Sequence, residues 1–110
     1  VKLILTNFGY KQYTLSNKPF PKADLYIDCR GLTDRASEGV VKATNGPLLF
    51  AMKTTIEEAH HTINTRWGAN PNRDFTVALF CAHGMNRSVA AKAILADTID
   101  RNIWPNIEVR

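Results

Sequence analysis

The run "FTVALFC", followed by "AHGMNR" and then "SVAAKAILAD", constrains the fold more than any other part of this chain. Phe75–Cys81 is almost continuously apolar, without the alternation of a half-exposed strand. That pattern fits a central strand buried on both faces of a parallel sheet. The residues after the loop predict a helix over 88–102, and the small Ala90, Ala91 and Ala93 let it pack close to the sheet. A strand that leads through a short glycine-bearing loop into a helix sets backbone N–H groups around one point. In open α/β sheets that point, at the carboxyl end of the strand, is where ligands bind.

The rest of the chain fits the same plan. "VKLILTNF" predicts a first strand over roughly residues 2–8, ending before Gly9. "YKQYTLSNKPFPK", with two prolines, reads as a loop. "ADLYIDC" predicts a second buried strand. "RGLTDRASEGVVKATNGP" reads as an irregular connection with one short helical turn. Leu49, Met52, Ile56, Ala59, Ile63 and Trp67 then recur at three- and four-residue steps, one face of a long helix. Pro47 suits its first turn and Gly68 its carboxyl end. This stripe is core rather than a cofactor box. After the loop "ANPNRD" comes the third strand, and "WPNIEVR" starts a fourth. Strands separated by crossover helices imply a parallel sheet and an α/β sandwich.

Composition narrows the class. The chain has 110 residues, 45% hydrophobic and 22% charged, one domain of an ordinary globular protein. No apolar run reaches the length of a membrane span, so no membrane partner is expected. No secretory signal pattern appears from Val1 onward. Cys29 and Cys81 form no CxxC pair, which argues against a metal site and for a reducing, cytoplasmic setting. No cofactor is expected. A net charge of +4 favours an anionic partner such as a phosphate, a nucleotide or RNA. The basic residues are scattered, with no run interleaved with aromatics, so no motif indicates nucleic acid.

The loop Cys81, Ala82, His83, Gly84, Met85, Asn86, Arg87, Ser88 is the candidate ligand-binding segment. Gly84 allows close backbone approach. The planar fork of Arg87 can grip two phosphate oxygens. Ser88 can cap the helix, or hydrogen-bond the ligand or Cys81. A helix N-terminus and a cationic neighbour bias Cys81 toward the thiolate. The bland alternative is a cysteine that merely ends a buried strand, with Arg87 in a surface ion pair. Asp28 and Arg30 end the second strand near the same sheet edge. They line the pocket, or Asp28 caps the following turn. His83 contacts the ligand or faces solvent. His60 and His61 read as structural or solvated. Phe8 and Tyr10 wall a pocket or simply pack.

Taken in order, "LTNFGYK", "FPKADLYIDCRGL" and "VALFCAHGMNRSVAAKAILAD" resemble the family of carboxyl-terminal domains of the RNase adapter protein RapZ. That family has a strand ending in S-F-G-[FY], then P-x-x-A-D, a hydrophobic strand and D-x-R, then a C-x-G-G-x-H-R-S loop and a helix. Asp28 and Arg30 match the D-x-R; Cys81, Gly84, Arg87 and Ser88 match the loop. His83 stands in place of the first glycine and Asn86 in place of the histidine. The resemblance implies phosphosugar sensing, RNA binding, a cytoplasmic location and a homo-oligomer. The spacing C-x5-R-S is also similar to the signature of cysteine-dependent phosphatases, and the segment around it is loosely similar to rhodanese-like domains. That resemblance implies Cys81 as nucleophile and Arg87 on the phosphoryl oxygens; no aspartate announces itself as the general acid, although Asp34 after the second strand could serve, and Phe80 stands where the phosphatases usually carry histidine. The expectation is therefore a domain that binds a phosphorylated small molecule, phosphosugar or nucleotide, through residues 81–88. The alternative is a cysteine phosphatase or rhodanese-like enzyme.

Overall fold

The computed structural model describes residues 1–30, 46–69, 71–82 and 87–110, with side chains in the long helix described from Thr54 onward. The elements run β1 (Leu3–Gly9), α1 (Tyr10–Leu15), β2 (Leu25–Asp28), α2 (Gly46–Ala69), β3 (Phe75–Cys81), α3 (Arg87–Thr98) and β4 (Ile107–Val109). The four strands form one sheet in the order β2-β3-β1-β4, and every pairing is parallel. The chain is an α/β domain with β3 inside the sheet, as its apolar run requires. Expected and observed boundaries agree for β3 and differ elsewhere by at most four residues. The connection after Arg30, with its expected helical turn, lies outside the described residues.

The strand order decides which face each helix covers. From β2 to β3, and from β3 to β4, the chain moves in one direction across the sheet. From β1 to β2 it moves in the other. Right-handed crossovers then place α2 and α3 on one face and the β1–β2 connection on the opposite face. The two hydrophobic clusters agree. Ile56, Ala59 and Ile63 of α2, with Ala90, Ala91 and Leu95 of α3, pack on Leu3, Leu5, Ile27, Val77, Leu79 and Cys81. The other face carries Phe8, Ala78 and Phe80 under Tyr10, Tyr13 and Ala23. The expected α2 stripe is buried where its side chains are described, and Trp67 is packed against it. Leu49 and Met52 lie outside the described side chains. Each large aliphatic residue buried this way stabilises the fold by about 1.5–3 kcal/mol.

One expectation needs correcting: residues 10–15 are helical, not loop. The helix α1 ends where Lys18 N–H donates to Tyr13 O (2.9 Å) and Asn17 N–H to Thr14 O (3.3 Å), with Asn17 at φ 52°. This is a Schellman closure with asparagine in the left-handed position. Pro19 and Pro21 follow the helix and do not interrupt it. Tyr10 and Tyr13 share a helix face and pack over the sheet: Phe8 meets Tyr13 edge-on at 5.3 Å and stacks on Phe80 at 5.3 Å between ring centroids.

Candidate anion-binding site

Neighbouring strands β1 and β3 send their connections to opposite faces of the sheet, so their carboxyl ends form the topological switch point, where α/β sheets hold ligands. Gly9 and Cys81 are paired in register there. Lys11 N–H donates to Ala82 O (3.0 Å), tying α1 to the first residue after β3. The helix α3 begins at Arg87, so its free amides and the positive end of its dipole lie at the far end of the 81–88 loop. His83, Gly84, Met85 and Asn86 lie outside the described residues, as does Asp34.

The structure joins Cys81 to Ser88. Both are buried, and Cys81 Sγ lies 3.2 Å from Ser88 Oγ. Ser88 therefore takes one of its expected roles, the hydrogen bond to the cysteine. Either the hydroxyl or the thiol donates in this contact. Arg87 Nη1 donates to Arg30 O (2.5 Å). That bond uses one of five guanidinium donors, so Arg87 both anchors the chain leaving β2 and keeps donors for an anion.

Asp28 and Arg30 stand apart from this group. Alternation along β2 puts Ile27 and Cys29 on the helix-covered face with Cys81, so Asp28 and Arg30 project to the aromatic face. There Arg30 Nε and Nη2 donate to the two Asp28 carboxylate oxygens (3.0 and 2.8 Å). Arg30 N–H also donates to Asp28 Oδ1 (2.9 Å), so Asp28 does cap the turn. The guanidinium lies 4.4 Å from the Tyr10 ring centroid. The Arg30 fork holds the Asp28 carboxyl below its usual range, and the same pair raises Arg30. The residues matched to D-x-R thus reach the sheet end that carries the loop, but from the opposite face to Cys81. Phe8 and Tyr10 pack in the aromatic cluster around this pair.

Cys29 is a second thiol on the helix-covered face. Burial first, then the nearby Cys81 sulfur and Asp28, push its thiol up to about 12. His60 Nε2 lies 3.0 Å from Thr98 Oγ1, linking α2 to α3; this is the structural role expected for it, while His61 is exposed. Lys92 of α3 reaches the sheet, donating to Asn7 Oδ1 and to Arg110 O at 2.5 Å, and burial lowers its pKa. An open groove of about 260 Å³ runs between β2 and α2. Its lining includes Glu58 of α2 and Asp28 of β2, the latter with its carboxylate paired to Arg30. Among the described residues no His, Cys, Asp and Glu cluster could hold a metal, and no helix is long and apolar enough to cross a membrane.

Sequence reasoning passed over Asp24, which fixes the start of β2. Its carboxylate accepts from Thr76 N–H (2.8 Å) and pairs with Arg73, and its carbonyl accepts from Arg66 (2.6 Å). The sequence signal was its place just before an apolar strand, a common position for a capping carboxylate. No protein-family model matches the chain, and comparison with curated proteins finds no match.

Proposed function

We propose that the domain binds a phosphorylated small molecule, a phosphosugar or a nucleotide, in the loop 81–88. The observation that carries this reading is the position of that loop. It joins the carboxyl end of the interior strand β3 to the start of α3, at the switch point of the sheet, with Arg87 in the first turn of the helix. Amides at a helix start, a guanidinium and a positive dipole end together complement a phosphate dianion. The RapZ-like pattern supports the same ligand class, and RNA binding and oligomerisation follow only from that likeness. Calorimetric titration with inorganic phosphate, a hexose phosphate and a nucleoside monophosphate tests the reading. Saturable binding of at least one, lost on removal of the phosphate group, is expected; no binding by any of the three at millimolar concentration overturns it.

A second reading, a cysteine phosphatase, is favoured by the Cys81–Ser88 contact. The thiolate would attack the phosphoryl group while Arg87 holds its oxygens. An aryl phosphate with a good leaving group needs no general acid. Turnover by the wild type that is absent in Cys81→Ser supports this reading, and equal background rates dismiss it.

A further inference from the structure

Cys29 and Cys81 come from segments far apart in the chain, yet the sheet sets them side by side. The β2–β3 register pairs Ile27 with Leu79 and Asp28 with Phe80. One residue further on, it places Cys29 opposite Cys81, and the bond from Cys29 N–H to Phe80 O (2.8 Å) continues the ladder to that point. Both belong to the cluster on the helix-covered face, so their side chains project the same way. Neighbouring strands lie about 4.8 Å apart, within the ~4.4–6.8 Å that Cα atoms of a disulfide span. On its other side Cys81 faces Gly9, which has no side chain. Cys29 is therefore the side chain beside Cys81 across the sheet. Both cysteines are thiols in this structure.

We propose that Cys29 and Cys81 are a redox pair, in which a small hydroperoxide oxidises Cys81 and Cys29 then closes an intramolecular disulfide. In the first step the Cys81 sulfur attacks the outer peroxide oxygen. An S–O bond forms and the O–O bond breaks. The remaining oxygen leaves as alcohol or water with the proton given up by Cys81, which becomes a sulfenic acid. In the second step the Cys29 sulfur attacks the Cys81 sulfur. The S–S bond forms, the S–O bond breaks, and the hydroxyl leaves as water with the Cys29 proton. Two thiols lose two electrons in total, and the hydroperoxide gains them.

The surroundings assign the order. Cys81 has Ser88 Oγ at 3.2 Å and the start of α3 six residues on, a polar surrounding that Cys29 lacks among the described residues. Cys29 has no exposed surface, against 3% for Cys81, so Cys81 meets the oxidant, and Cys29 gives up its proton as it attacks the sulfenic acid. Burial of both side chains also selects hydrogen peroxide or a small alkyl hydroperoxide over a protein or glutathione disulfide. This pairing does not depend on the ligand of the loop.

The experiment exposes folded wild-type protein to hydrogen peroxide without reductant, denatures it in alkylating reagent, and measures intact mass and a peptide map. The proposal expects a monomer that has lost two hydrogens and both alkylatable thiols, a peptide joining Cys29 to Cys81, and recovery with dithiothreitol. In Cys29→Ala, a sulfenic-acid probe should label Cys81. In Cys81→Ala, Cys29 should stay alkylatable through the same exposure. Persistence of both thiols, bridges only between chains, or overoxidation of Cys81 with Cys29 still alkylatable would overturn the proposal. If either variant fails to fold, the wild-type peptide map decides alone.

Discussion

Replacing Arg87 separates the structural part of the site from the binding part. Its observed contact is one bond to the exposed Arg30 carbonyl. A hydrogen bond from a charged donor is worth about 1.5–3 kcal/mol when well shielded, and a typical one about 0.5–1.5 kcal/mol. Arg87 is only partly buried, so the lower range applies. For a domain of this size each kcal/mol moves the melting temperature by about 4–8 °C. Arg87→Ala should therefore remain folded at 25 °C, with a Tm lowered by about 12 °C at most. If its remaining donors grip a phosphate, the same change removes at least one charge-assisted contact to the ligand. At about 1.5–3 kcal/mol, affinity should fall at least ~10-fold. Arg87→Lys should recover charge but not the fork, and bind between the two. The assay is calorimetry beside circular dichroism on the same samples. A folded Arg87→Ala that binds a phosphorylated ligand as tightly as the wild type would refute this role.

Other outcomes follow from the same contacts. Leu79→Ala, at a fully buried position of β3, should cost about 2–5 kcal/mol in chemical denaturation; a loss under ~1 kcal/mol would show that the core repacks. Burial holds the His60 pKa below its ordinary 6.5, so the folded state takes up a proton less readily than the unfolded chain. Stability should fall as pH drops below 6.5, and His60→Gln should flatten that slope in melts between pH 5 and 7.5. The Asp28 carboxyl, held below 3.8, contributes stability that is complete above that pH and is lost as pH falls through the lowered value. Acid unfolding of Asp28→Asn should therefore be shallower. If RNA is a partner, gel shifts should weaken as salt rises; no shift at low salt with protein in excess removes it.

The parts of the fold visible in the sequence were those governed by local rules. Phe75–Cys81 announced an interior strand because Thr76 is the one polar side chain in it. The stripe Ile56, Ala59, Ile63 and Trp67 announced a helix because its period is helical. The helix α1 was hidden because six residues carry too little periodicity, and the prolines after it drew attention away from the closure at Asn17. The aromatic cluster was hidden for a different reason. Phe8, Phe20, Tyr26 and Phe80 come from four segments, and only the strand order brings them together. The separation of Asp28 and Arg30 from Cys81 was present in the two-residue period of a strand, since Cys29 between them must point the other way. Their closeness to the loop along the sheet edge was legible as well, and with it the capping of the turn by Asp28. The neighbourhood of Cys29 and Cys81 could not be read without knowing that β2 lies beside β3.

The most direct measurement of the central claim is a backbone-amide NMR titration of the wild-type domain with inorganic phosphate, repeated with sulfate at matched ionic strength. The account predicts saturable shifts concentrated on the amides of residues 82–88 and on Lys11, whose N–H meets Ala82 O. Shifts spread over the lysine-bearing surface without saturation, or centred at the opposite end of the sheet near Lys2 and Asp74, would contradict it.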